Sequence, residues 1–196
     1  MLLPNQLTVL RIILTPVFVF FFLSEGGLNL EIAILIYIIA ALTDWYDGWL
    51  ARKFNYITAW GKFWDPMADK ILTSAAFFCF VLIDVIPLWM VLLIIIRDFV
   101  VTAVRGYADH KHISFPTSTY AKVKTFFQMV FLYYLLTFYT LSKSGFVSDQ
   151  VREIAGIFLN PQAIYLFMLS VTIITVHSGY LYVSQNYALL IKGVKK

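Results

Sequence analysis

Six long apolar runs, separated by short clusters of Gly, Pro and charged residues, organise the chain: roughly 6–24, 30–52, 61–83, 86–108, 121–141 and 162–188. A helix needs about 20 predominantly apolar residues to cross the hydrocarbon layer, and each run is long enough. The pattern predicts an all-α integral membrane protein, a bundle of six transmembrane helices. The connections leave too few residues for a second folded unit, so 1–196 is expected to form a single membrane domain. The first run is read as a retained span and not a cleaved leader, because no basic cluster precedes it and no small-x-small pattern follows Leu23. Segment 142–161 is the one sizeable loop expected on the outer side.

Composition rules out a soluble domain. The chain is 61% apolar, 18% aromatic and only 13% charged, with a mean hydropathy of +0.80, whereas soluble domains carry about 25% charged residues. Cys79 stands alone, and His110, His112 and His177 fall in no zinc-binding spacing, so disulfide and zinc chemistry are not expected. Lys and Arg gather around the second and fourth junctions (Arg52, Lys53, Lys62; Arg105, Lys111, Lys122, Lys124) and at the C-terminus (Lys192, Lys195, Lys196). The first and third junctions hold Glu25, Glu31 and Asp84 without a cation. By the positive-inside rule both termini are cytoplasmic. The net charge of +4 then reports orientation and attraction to anionic headgroups, and no nucleic acid is expected as a partner. The aromatics of the first span, Phe18 to Phe22, and Tyr133, Tyr134 and Trp89 suit lipid-facing and interfacial positions.

Four carboxylates, Asp44, Asp47, Asp65 and Asp69, break the apolar pattern at the end of the second run and the start of the third. At 100° per residue Asp44, Asp47, Gly48, Ala51 and Arg52 share an arc of about 140°, and Gly61, Asp65 and Asp69 an arc of about 80°. Two polar faces lined with small residues are therefore able to meet. Carboxylates at membrane depth cost on the order of 2.5 to 3.5 kcal/mol each unless compensated. Ion pairs with Arg52, Lys62 and Lys70 are one compensation. Bound metal is the other, and an all-carboxylate set without His or Cys suits hard ions such as Mg²⁺, Mn²⁺ or Ca²⁺. Four carboxylates match two ions that polarise a diphosphate. Gly48, Ala51 and Gly61 lack bulk, so a ligand or a neighbouring backbone can come close.

These residues fit the pattern DxxDGxxAR(x8)GxxxDxxxD at every position: Asp44, Asp47, Gly48, Ala51, Arg52, Gly61, Asp65 and Asp69. In this the chain resembles the CDP-alcohol phosphatidyltransferases. The resemblance implies a six-helix, usually homodimeric enzyme of the bacterial cytoplasmic (inner) membrane that moves a phosphatidyl group from CDP-diacylglycerol to an alcohol and releases CMP. It implies two divalent cations, Mg²⁺ or Mn²⁺, on Asp44, Asp47, Asp65 and Asp69, with Asp69 as general base and the site open to the cytoplasm. Gly48, Ala51, Arg52 and Gly61 would then receive the CDP-lipid.

Three further segments, 4–16, 94–105 and 121–129, are similar to the bacterial branch of that family whose acceptor is glycerol 3-phosphate. Asp98, Val104 and Ala121 depart from that branch, where Glu, Leu and Gly are usual. An acceptor that carries a phosphate needs fixed cations, and Arg97, Arg105, Lys122 and Lys124 lie at the ends of the fourth and fifth runs. Asp98 shares a helical face with Arg105 and is expected to orient it, while Lys122 and Lys124 lie about 200° apart, so one of them is expected to face the site. Asn5, Thr8 and Arg11 recur every third residue on one face of the first helix, at the rim of the site. Other acceptors with the same chemistry (phosphatidylglycerol, an inositol phosphate or serine) and a divalent-cation transporter remain open on these residues alone.

Overall fold

The computed structural model describes residues 3–26, 28–54, 59–110 and 119–194, and among them the regular elements are all α-helices. Six helices are long: α1 (Leu3–Leu23), α2 (Asn29–Phe54), α3 (Ala59–Leu82), α4 (Leu88–His110), α5 (Thr119–Lys143) and α7 (Pro161–Val194). They coincide with the six apolar runs. Between α5 and α7 lies α6 (Asp149–Phe158), a ten-residue helix where the apolar pattern predicts a loop.

Local chemistry sets the ends. Asn160 caps α7, its side-chain oxygen accepting from the Gln162 and Ala163 amides at 2.9 and 3.3 Å. Pro161 takes the first helical position, where no amide hydrogen is needed. After α3 the chain reverses through Asp84, which adopts φ +58°. The Val85 and Ile86 amides fold back onto the Phe80 carbonyl there, satisfying an oxygen the helix leaves open. Connections this short make neighbours antiparallel, so α1, α3 and α5 begin at the end of the bundle where α2 and α4 finish.

The interior reverses the habit of a soluble protein. Large apolar side chains such as Ile13, Phe20, Leu35, Trp45, Ile96 and Phe126 point outward, while Thr8, Arg11, Asp47, Asp98, Lys124, Gln128 and Ser178 are buried. Apolar groups facing outward need lipid, and polar groups facing inward need one another. The segments Gln6–Leu23, Asn29–Asp47, Tyr120–Lys143 and Pro161–Gln185 are long and apolar enough to cross a membrane. The other two long helices are interrupted by charge: Asp65, Asp69 and Lys70 in α3, and Arg97, Asp98 and Arg105 in α4.

α1 packs on α2 and α3, α3 on α4, α4 on α7, and α5 on α2, α6 and α7. At one end the packing is aromatic, with Phe22 against Phe80 and Tyr139. Phe18 and Phe22, expected to face lipid, belong to this core, whereas Phe20 is 67% exposed. Five consecutive apolar residues in a helix cover more than one face, and only the packing decides which of them is inside. α6 rests on this end: Phe158 stacks on Phe138, and Tyr134 donates its hydroxyl hydrogen to the Phe158 carbonyl. α6 leaves Val151, Ile154, Ile157 and Phe158 exposed on one flank, the amphipathic layout of a helix lying at a membrane surface. Ten residues are too few to cross, so a search for spans by length alone predicts no element here.

Candidate active site

The opposite end of the bundle holds the charges. Thr8 and Arg11 come from the first half of α1, Asp44 and Asp47 from the second half of α2, and Asp65, Asp69 and Lys70 from the first half of α3. Arg97, Asp98 and Arg105 come from α4, Lys124 from the start of α5, and His177, Ser178 and Tyr182 from α7. They form two adjoining halves.

The acidic half is organised by α1. Arg11 is fully buried and spreads its guanidinium between two carboxylates, with Nη1 2.6 Å from Asp44 Oδ1 and Nη2 donating to Asp47 Oδ2 at 2.6 Å. Neither its Nε nor its Nη1 makes a hydrogen bond, so the Asp44 contact is an ion pair alone. One turn earlier Thr8 donates its hydroxyl hydrogen to Asp65 Oδ1 at 2.5 Å. The i, i+3 spacing places Thr8 and Arg11 on the same face of α1, so one helix reaches both acidic arcs, Asp47 on α2 and Asp65 on α3. Asp44 is about half exposed and Asp69 about a third, whereas the Asp47 side chain is buried. The open side of this half therefore lies at Asp44 and Asp69.

The four carboxylates are not drawn into a single cage. Among the described residues no three Asp, Glu, His or Cys groups are gathered closely enough to enclose a metal ion. Arg11 and Thr8 hold them instead. The donor set still suits a hard divalent cation, being made of carboxylate oxygens alone. A positive group already sits between Asp44 and Asp47, which marks that pair as a place where a cation is held.

The basic half centres on Asp98, which is 3% exposed. Lys124 donates to its Oδ1, Arg97 Nη1 does so at 2.9 Å, and Lys70 Nζ lies 4.0 Å from its Oδ2. Three cations thus share one buried carboxylate. Arg97 is tied across to α7, its Nη2 donating to Ser178 Oγ at 2.8 Å. Gly179 makes that crossing possible, because a Cβ there would stand 2.8 Å from Arg97 Cγ. Lys70 joins the two halves, since its Nζ is also 3.6 Å from Asp69 Oδ2.

Contrary to the expectation from their shared face of α4, Asp98 does not orient Arg105. The two residues stand seven apart, about 10.5 Å along the axis, and Arg97 and Lys124 reach Asp98 first. Arg105 instead lies over the Tyr182 ring, 5.8 Å from its centroid, with its Nε buried and unbonded. Of the lysine pair, Lys124 turns inward and is buried, while Lys122 is exposed. His177 is bonded to Tyr120, with 3.0 Å between the hydroxyl oxygen and Nδ1. Asn5, Gly48, Ala51, Arg52 and Gly61 sit on α1, α2 and α3, but their side-chain surroundings lie outside the described residues.

The sequence pattern marks Lys70 only as an ion-pair partner and gives α7 no role. A signal for α7 is nevertheless there: Ser178 and Gly179 form a small polar pair within an apolar span, the kind of position at which helices meet closely.

An acidic half and a cationic half, joined by one lysine, thus lie at one end of the helical bundle. Residues 1–176 match the family described as CDP-alcohol phosphatidyltransferase, and the chain belongs to that family. Its relatives include enzymes named CDP-diacylglycerol–glycerol-3-phosphate 3-phosphatidyltransferase. The Rickettsia felis protein is 38% identical over 134 residues, covering 68% of this chain and 74% of the relative. The Bacillus subtilis protein is 39% identical over 140 residues (65% and 72%), and the Salmonella paratyphi A protein 39% identical over 139 residues (68% and 75%).

Proposed function

We propose that the chain transfers the phosphatidyl group of CDP-diacylglycerol to the primary hydroxyl of glycerol 3-phosphate, forming phosphatidylglycerophosphate and CMP. The observation that carries this reading is the trio of Lys70, Arg97 and Lys124 around the buried Asp98. Lys70 also lies 3.6 Å from Asp69, so three cations face two carboxylates and leave an excess of one positive charge in a largely buried place, where unbalanced charge is costly. A phosphate dianion balances it, and guanidinium and ammonium donors suit phosphate oxygens. Arg105 over Tyr182 is a further cation beside this half.

The acidic half then receives the diphosphate of CDP-diacylglycerol. Divalent cations, Mg²⁺ or Mn²⁺, held by Asp44, Asp47, Asp65 and Asp69 would neutralise the diphosphate and ease the departure of CMP. Asp69 lies between the halves, tethered by Lys70, and serves as general base toward the acceptor hydroxyl. The new O–P bond forms as the P–O bond to CMP breaks. Lys70 keeps the base beside the acceptor phosphate. Gly48, Ala51, Arg52 and Gly61 would flank the CDP-lipid, and Asn5 would join Thr8 and Arg11 at the rim. Lys122 would remain an interfacial anchor. The purified protein should form CMP only when CDP-diacylglycerol and glycerol 3-phosphate are both present, as followed by chromatography of the nucleotide. Equal CMP formation without an acceptor would identify a hydrolase instead.

The protein in this reading is one domain with six spans, α3 and α4 included, acting as a homodimer in the bacterial inner membrane with both termini and the site in the cytoplasm. Charge interrupts α3 and α4, but Asp98 and Lys124 are paired inside the bundle and need not meet lipid. Cysteine labelling tests the orientation, and the native Cys79 is buried and should stay silent. Ser148→Cys should react with an impermeant maleimide on intact cells, and Thr117→Cys only after permeabilisation. The reverse pattern would place the site on the outer face.

A further inference from the structure

The proposed reaction leaves Arg11 without a task of its own, although among the described residues it is the largest fully buried charged side chain. Its guanidinium lies 2.6 Å from both Asp44 and Asp47, and its Nε is satisfied by nothing. A buried arginine held this way does two things. It neutralises carboxylates that would otherwise repel each other at membrane depth. It also occupies the space and the lone pairs that another cation would need.

We propose that Arg11 is the resident counter-cation of the Asp44 and Asp47 pair, and that a divalent ion binds there only as Arg11 gives up at least one of the two carboxylates. Arg11 thereby keeps the site folded when no metal is bound and weakens its intrinsic affinity for metal. The inference rests on the metal-binding role proposed above for the same carboxylates. Geometry supports it from three sides. The guanidinium lies 2.6 Å from both carboxylates, but it donates a hydrogen bond only to Asp47, so the Asp44 contact is an ion pair and the easier one to give up. Asp44 is about half open, while Asp47 is enclosed, so Asp44 is the partner that an incoming ion can take first. Thr15 anchors the local helix by donating to the Arg11 carbonyl at 2.9 Å, so an exchange of partners needs movement of the side chain only.

The test is Mn²⁺ binding to the full-length protein in lipid nanodiscs without CDP-lipid, followed by electron paramagnetic resonance, with thermal unfolding measured in parallel. Removing the competing charge and its one hydrogen bond should tighten binding by about 10-fold or more in Arg11→Gln. The metal-free variant should melt below wild type, and Mn²⁺ should raise its melting temperature more than it raises that of wild type. Arg11→Lys keeps the charge but lacks the fork that spans two carboxylates, so its affinity should fall between the two. Arg11→Lys carries the test if Arg11→Gln does not fold. Affinity in both variants equal to or weaker than wild type would overturn the role of Arg11 while leaving the metal site intact. No Mn²⁺ binding in any of the three proteins, with or without CDP-diacylglycerol, would overturn the metal reading as well.

Discussion

Asp65→Asn is expected to reduce CMP release by more than about 100-fold while the protein still inserts and folds. Loss of groups that merely orient metal ligands typically costs 10- to 100-fold, so loss of a ligand charge should exceed that range. Folding should survive because asparagine keeps an oxygen where Thr8 now donates its 2.5 Å hydrogen bond to Asp65 Oδ1. The substitution removes the charge and leaves the α1–α3 contact in place. Raising Mg²⁺ or Mn²⁺ should recover part of the loss, since the remaining carboxylates still attract the ion. Steady-state rates across a metal titration check this, with gel filtration in detergent as the control for folding. Near-normal turnover at ordinary metal concentration would remove Asp65 from the metal set.

Lys124→Met should raise the KM for glycerol 3-phosphate by roughly 10- to 150-fold, the equivalent of losing one charge-assisted bond of about 1.5 to 3 kcal/mol. The KM for CDP-diacylglycerol should change little. Methionine fills a similar volume, and Asp98 keeps Arg97 at 2.9 Å and Lys70 at 4.0 Å, so no bare carboxylate is left behind. Lys122→Ala, two residues away but exposed, should stay within a few-fold of wild type for both substrates. Initial-rate measurements with each substrate varied in turn separate the outcomes. A rise in both KM values together would mean that Lys124 supports the fold and not the acceptor.

Much of this arrangement is legible in the amino-acid sequence. Apolar runs locate six helices because a bilayer demands about 20 uninterrupted residues. Helical angles place Asp44 with Asp47, Asp65 with Asp69 and Thr8 with Arg11, because neighbours on one helix are fixed by a local repeat. What the sequence does not disclose is which face of one helix meets which face of another. By its spacing Arg11 is only a rim residue, yet α1 lies against α2 so that it reaches both carboxylates. A shared face of α4 pairs Asp98 with Arg105, yet the partners of Asp98 come from the preceding residue and from α3 and α5. Ser178 and Gly179 gain their meaning only from the α4–α7 contact. α6 neither spans nor caps, and packing against α5 defines it.

The pairing of acidic and cationic halves has a physical consequence for the reaction order. Lys70 touches both Asp69 and Asp98, so charge brought to one half is felt by the other. In the proposed reaction an anionic acceptor seated among Lys70, Arg97 and Lys124 would compete with Asp69 for Lys70.

The lipid product formed in competition tests the central claim most directly. Purified protein would be given CDP-diacylglycerol, Mg²⁺ and an equimolar mixture of glycerol 3-phosphate, serine, inositol phosphate and phosphatidylglycerol, with lipids analysed by mass spectrometry and CMP quantified. The account predicts phosphatidylglycerophosphate as the dominant product, formed one for one with CMP. A product made chiefly from serine or phosphatidylglycerol, neither of which offers a phosphate dianion to Lys70, Arg97 and Lys124, would contradict it.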